Sequence, residues 1–432
     1  MSSMQTRDSA DLLIEARWVL PIAPATALAN HAVAALDGRI VALGPAAALR
    51  ARFTAREHIV RPAHVLLPGL VDAHTSASRI ALRARAVSAD LAREGAQLAL
   101  AQMLRAGITS FASAELHPAE MARLAGQLRM RAAVGLPLSE RPTPWAESLT
   151  SHLAVAERLW DTYRSDPWVS LYFAPDLTHG LSDAALTHIR AVADELDARI
   201  VMPVGSAPQG VRDGAEPGAV PALARLNRLG LLRPGFTALP QARFAPAELE
   251  LIERTGSALA VCPQPSLRAG RGADCLACLL ADLPIGLGTG SPPLALTFDL
   301  LAEARAAALA ASTLAGRRDA LTPERALHLA TLGGAQAVGL KSAVGSLEPG
   351  KAADLIAIEV ASLDGPGTSV AETVLYAATR RHVSDVWING RPQVLDGRLV
   401  ALDEQELLAL AERHAQAGLS EGGPRSPEEA PG

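Results

Sequence analysis

The sequence predicts an α/β protein, a (β/α)₈ TIM-type barrel joined to a small β-sandwich domain formed by both chain ends. Three observations lead to this. Both ends read as short strands linked by tight turns, and the stretch between them alternates short apolar runs with longer helical ones. The chain's 432 residues, 49% hydrophobic and 20% charged, are also enough to fill a large core.

Taken in order, LLIEARWVL, HAVAALDGRIVALG and HIVRPAHVLLPG read as strands or hairpins, with Asp37-Gly38 as a turn. GITSFASA, WVSLYFAP, RIVMPV, FTALP, ALAVCP and PIGLGTG follow as short apolar runs. They alternate with helical stretches such as LAREGAQLALAQMLRAG, AALTHIRAVADELD and PAELELIERTG. Pro246 and Pro323 mark helix starts, the second with Thr322 as its cap. VGSLEPGKAADLIAIEV and VSDVWINGRPQVLDGRLV return to strand–turn–strand, with turns at Asn389-Gly390 and Asp396-Gly397. The expected division is residues 10–66 and 343–400 for the sandwich and 67–342 for the barrel. Residues 401–432 are expected to form a helix and a disordered tail, since the end is rich in Gly, Pro, Ser and Glu.

Composition excludes several function classes. The 40 Lys and Arg against 45 Asp and Glu give a net charge of −5 with no basic block, so no nucleic-acid partner is expected. Aromatic residues are 3%, too few for a single-strand stacking platform. No apolar run reaches the roughly 18–20 residues of a membrane span. The start has no basic segment followed by an apolar one, so a cytoplasmic chain without a signal peptide is expected. Cys262, Cys275 and Cys278 are too few for a disulfide framework.

The run LLPGLVDAHTSAS resembles the first-strand signature of the amidohydrolase superfamily, in which PGxxDxHxH supplies two metal-binding histidines. MLRAGITSF, CPQPSLRAGRG, GLGTG, ALHLATLGGAQAVGL and GSLEPGKAADLIAIE are similar to further blocks of that family, in order, between Leu12 and Val400. The nearest branch is that of the 5-methylthioadenosine/S-adenosylhomocysteine deaminases and triazine chlorohydrolases. The resemblance implies hydrolytic displacement of a group from a heterocycle by water bound to zinc or iron. It also implies which positions do this: His-x-His on the first barrel strand, a His on the fifth, a His on the sixth, a Glu just after the fifth and an Asp ending the eighth.

Carried over residue by residue, most of that set is replaced. His74 is kept, but the second histidine of the pair is Ser76. The fifth-strand His falls at Pro203 and its Glu at Ser206, the sixth-strand His at Leu239, and the eighth-strand Asp at Gly290. One neutral imidazole does not hold zinc, which needs about three protein ligands. No cofactor is therefore expected, and zinc only if a site has been rebuilt. The connection ASRIALRARAVSADLARE is also shorter than the family's loop and helix at that place, which implies a more open pocket.

Other polar residues fall near strand C-termini, where barrels place their sites. They are His74, Glu115, His117, Asp176, His179, Cys262, Ser266 and Arg268. His74, Glu115 or His117, Asp176 and His179 read either as a rebuilt ligand or acid–base set, or, like Cys262, as barrel-mouth residues hydrogen-bonded locally; the second is preferred because their spacing matches no motif. PSLRAGRG is similar to the family's loop after the seventh strand, where Ser266 and Arg268 would line the pocket, while Arg268 and Arg271 read equally as solvated loop charges. Cys275-x-x-Cys278 reads as a pair of buried apolar residues within a helix rather than as a metal or redox pair. The expectation is a catalytically inactive member of the family with a binding or partner-subunit role, as a homo-oligomer or paired with an active relative. The alternative is a metal-dependent hydrolase or deaminase acting on C–N bonds of a nucleoside or related heterocycle through a remodelled site. A small heterocyclic ligand suits both.

Overall fold

Strands β1 (Asp8–Val19), β2 (Leu28–Leu36), β3 (Arg39–Pro45) and β4 (Phe53–Pro68) open the chain in a computed structural model. The described residues are 7–78, 88–143, 145–175, 180–205, 222–295, 297–361 and 368–420. Eight further strands follow: β5 (Leu70–Thr75), β6 (Ile108–Ala114), β7 (Arg131–Leu138), β8 (Val169–Pro175), β9 (Arg199–Val204), β10 (Phe236–Pro240), β11 (Ala258–Val261) and β12 (Ile285–Leu287). The last four are β13 (Leu355–Glu359), β14 (Val383–Ile388), β15 (Arg391–Leu395) and β16 (Arg398–Leu399).

The two ends share one sheet, ordered β16-β15-β14-β13-β4-β1-β2-β3. Strand β4 joins the halves, parallel to β1 on one side and antiparallel to β13 on the other. The three predicted turns close the hairpins β2–β3, β14–β15 and β15–β16. In each of them both turn residues have positive φ: Asp37 and Gly38, Asn389 and Gly390, Asp396 and Gly397. That conformation matches the twist of the flanking strands and explains the Asp-Gly and Asn-Gly pairs.

Strands β5 to β12 form a parallel sheet in sequence order that curls into the barrel. Between β12 and β5 the seam is a bridge of Thr75 to Gly290, with Gly290 N–H donating to the His74 carbonyl at 2.9 Å. Side chains alternate along each strand. Phe111, Val134, Phe173, Met202 and Val261 point outward into the main core, while Ala112, Ala133, Tyr172, Val201 and Ala260 fill the interior.

The outer helices carry apolar stripes at helical spacing. In Ala89–Arg105 the buried face includes Ala92, Ala96, Ala99, Leu100 and Met103, and Ser88 caps the start by accepting from Leu91 N–H at 3.2 Å. Helix Leu300–Ala315 buries Leu300, Ala304, Ala307, Ala308 and Ala311 behind its Asp299 cap. Pro246 and Pro323 each open a helix, with Thr322 capping the second. Helix Glu404–Ser420 lies on Ala89–Arg105, tied by His414 to Glu94 at 2.7 Å; residues 421–432, the expected tail, lie outside the described residues. The segment bearing Cys275 and Cys278 is not one helix. It is a single turn, Gly272–Cys275, followed by a 3₁₀ turn, Ala277–Leu280, and both thiols are buried as expected. Among the described residues no helix is long and apolar enough to cross a membrane.

Candidate active site

The C-terminal ends of the barrel strands enclose a cavity of about 500 Å³. Its floor begins on β5, where two-residue alternation turns His74 and Ser76 to the same side. The Ser76 hydroxyl donates to the Ala114 carbonyl at 3.1 Å and lies 2.8 Å from the Ser291 hydroxyl. Burial pushes the His74 imidazole down to about 4, so it is neutral at pH 7. Its Nδ1 is buried without a hydrogen-bond partner among the described residues.

Two buried carboxyls brace this floor. Asp72 accepts from the Thr289 hydroxyl at 2.6 Å, from Thr289 N–H at 3.1 Å and from His74 N–H at 3.2 Å. It therefore ties β5 to the end of β12, and burial raises it to about 7. Glu115 follows β6 and accepts from the Ser113 and Ser78 hydroxyls and from Ser78 N–H. Burial outweighs these hydrogen bonds and raises its carboxyl.

On the far side stands Cys262, whose thiol burial holds well above its usual range, as a protonated and weakly nucleophilic group. Glu303 lies buried behind it, accepting from Gln264 N–H at 2.8 Å, and burial raises it as well. The walls are largely apolar, with Pro137, Pro175, Pro203, Leu239, Pro240, Pro265 and Leu294. At the rim, Arg271 donates to the Gln241 carbonyl at 3.3 Å and to its side-chain oxygen at 3.2 Å.

His74, Ser76, Pro203, Leu239 and Gly290, separated by up to 216 positions in the sequence, all line this one cavity. Ser206 lies outside the described residues. The donors at these five places are one imidazole and one hydroxyl. Among the described residues no three His, Cys, Asp or Glu side chains converge as metal ligands. These residues do not fit a zinc ion.

Of the other expected residues, Glu115, Cys262 and Ser266 line the cavity. His117 does not; it precedes helix Pro118–Leu128 at its N-terminus. Arg268 does not line it; it is exposed and donates to the Leu294 carbonyl, in keeping with the reading as a solvated loop charge, and Arg271, three residues on and also exposed, reaches the cavity rim. The short helix Pro263–Arg268 turns Arg268 outward. Asp176 and His179 lie outside the described residues, as do residues 79–87 of the shortened connection. Sequence reading missed Tyr172, Gln241 and Ser291. Alternation along WVSLYFAP would have put Tyr172 on one face with Ser170 and Ala174, but not told which face is interior.

Relatives share this architecture across their whole length. A 5-methylthioadenosine/S-adenosylhomocysteine deaminase of Teredinibacter turnerae is 30% identical, covering 94% of this chain and 98% of that protein. The crystal structure of an adenosine deaminase from Xanthomonas campestris with bound zinc is 33% identical, with a TM-score of 0.91 over 96% of this chain and 100% of that one. An atrazine chlorohydrolase from Arthrobacter aurescens, complexed with zinc, shares the fold at 21% identity, with a TM-score of 0.80 over 93% and 99%.

These findings overturn the expectation of a catalytically inactive protein whose role is binding or pairing. That reading equated replaced ligands with lost activity, whereas the full-length relatives carry deaminase names. Replacing ligand side chains removes one way of activating water; it leaves the cavity and its buried acid–base groups in place. The profile of the amidohydrolase family matches residues 65–392, the whole barrel and the return into the sandwich, and the chain belongs to that family.

Proposed function

We propose that the chain is a hydrolase acting on an exocyclic C–N bond of a nucleoside or related heterocycle, in the cavity at the barrel mouth. The observation that carries this reading is the convergence of the altered family positions with Glu115 and Tyr172 on one cavity of about 500 Å³. That volume suits a small ligand, and apolar walls over a few polar floor groups suit a flat ring. Relatives named for deamination of adenine nucleosides support the substrate class.

In such a reaction water adds to the ring carbon bearing the amino group, and the carbon–nitrogen bond then breaks. One water proton leaves with ammonia, and the other ends on a ring nitrogen beside the new carbonyl. His74, neutral and on the floor, is placed to take the proton of the attacking water, and Glu115, at the end of β6 on the same cavity, is placed to relay a proton toward the leaving group. The Ser76 and Ser291 hydroxyls orient the attacking water.

The test is ammonia release from adenosine, 5-methylthioadenosine, S-adenosylhomocysteine and 5'-deoxyadenosine by tag-free protein, with metal content measured on the same preparation. Turnover of at least one substrate is expected, with kcat falling about 100-fold or more in His74→Ala and Glu115→Gln. Absence of ammonia with every substrate would overturn the proposal. Turnover that is lost on chelation and restored by zinc would show a rebuilt metal site in place of the roles given to His74 and Glu115.

A further inference from the structure

We propose that the Tyr172 hydroxyl is the specificity-determining hydrogen-bond donor of this cavity, reading an acceptor atom on the edge of the bound heterocycle. The inference rests on the reading of the cavity as a heterocycle site and names how that site selects its ligand.

The barrel interior is built mainly from small side chains, such as Ala112, Ala133 and Ala260, and Tyr172 is a large residue among them. Its neighbour across the β7–β8 ladder is Gly135, directly in register. A Cβ placed on Gly135 would stand 2.7 Å from both Cζ and the hydroxyl oxygen of Tyr172. The ring therefore lies across β7 in the space that glycine leaves open. Beyond Gly135 in the same register is Ala114 of β6, whose carbonyl receives the Ser76 hydroxyl, and next to it in the chain is Glu115. The phenol thus reaches from β8 toward the polar floor.

That hydroxyl is buried, with Tyr172 only 2% exposed, and has no hydrogen-bond partner among the described residues. A buried hydroxyl without a partner costs stability, and a ligand acceptor would remove that cost on binding. Gly135, Ala114 and Tyr172 all line the cavity, and the hydroxyl lies beside Gly135. A neutral phenol suits a neutral acceptor, a ring nitrogen or carbonyl oxygen. A site that pairs a buried donor with such an atom rejects the analogue lacking it.

The experiment measures binding of adenosine and its 1-, 3- and 7-deaza analogues by calorimetry to wild type and Tyr172→Phe, beside ammonia release and the melting temperature of the free proteins. Wild type should bind adenosine and lose about tenfold in affinity for one deaza analogue. Tyr172→Phe should bind adenosine about tenfold more weakly and no longer distinguish that analogue, while melting no lower than wild type. Equal adenosine affinity in the variant, an undiminished penalty against the analogue, or a melting temperature lowered by several degrees would each overturn the inference. Tyr172-dependent binding without ammonia release would overturn the proposed reaction and leave this inference standing. Failure of wild type to bind any of the four would overturn this inference, while ammonia release from another of the nucleosides would leave the proposed reaction standing.

Discussion

Gly290 shows most directly how this site departs from its relatives. It stands where the family's metal-binding aspartate would be, but its φ is +80°, a region that side chains rarely adopt. A Cβ there would meet the Pro265 ring at 2.8 Å, with Cys262 at 3.4 Å. An aspartate placed here would be strained by both the backbone conformation and the Pro265 contact. Gly290→Asp should lower stability by about 2–4 kcal/mol in urea unfolding and should not bring stoichiometric zinc. Unchanged stability with bound zinc would show that the old geometry persists. The motif blocks on either side of Gly290 were legible in the sequence, and its assignment to the family's aspartate position rests on them. The positive φ and the Pro265 contact were not, because they depend on a loop from a different strand.

At the scale of elements, the closure of β12 on β5 is a tightly constrained contact. A Cβ on Gly288 would lie 2.5 Å from the His74 carbonyl oxygen and 2.8 Å from its amide nitrogen, both of them backbone atoms. Just beyond it, Thr289 holds the buried Asp72 carboxyl with its hydroxyl and its N–H. Gly288 thus permits the approach that sets His74 at the floor, and Thr289 and Gly290 keep it. Gly288→Ala should cost at least about 3 kcal/mol, read as a lowered urea midpoint, because backbone cannot move aside as a side chain can. A midpoint within experimental error of wild type would mean that the strands meet less closely than this. The hairpins and most helix starts were readable locally, since Asp-Gly, Asn-Gly and Pro after a capping residue act over three or four positions. The thiol segment was misread as one helix, because a short apolar run does not reveal whether its turns continue.

For the whole molecule, sandwich and barrel share an apolar core, with Ile356 and Val383 packed in one cluster with Leu100 and Ile108, and a buried ion pair also joins them. Arg131, at the start of β7, lies 3.2 Å from Asp354, 1% exposed on its side chain, and also donates to Asn389 of the β14–β15 turn. Asp354 further accepts from Asn389 N–H at 2.8 Å, and its carbonyl receives Gly69 N–H where β4 leads into β5. The Arg131 guanidinium stacks over Trp168 at 5.1 Å. Removing one partner of such a pair leaves the other charge buried and alone. Arg131→Ala should therefore destabilise the protein by about 3–5 kcal/mol. Chemical denaturation would measure it, and a loss below about 1 kcal/mol would show that the two parts are held by apolar packing instead.

By itself, the sequence determined the class of fold and the union of the two chain ends in one sheet. Those follow from periodicity, turn chemistry and motif order, which are properties of neighbouring residues. Only the tertiary structure decided that the altered positions still share one cavity, that Arg271 rather than Arg268 reaches its rim, and that Tyr172 reaches across Gly135 toward its floor. These depend on which strands lie side by side and on the space that one residue leaves for another. Chain-local patterns do not encode such contacts, because closing the barrel creates them between residues far apart in sequence.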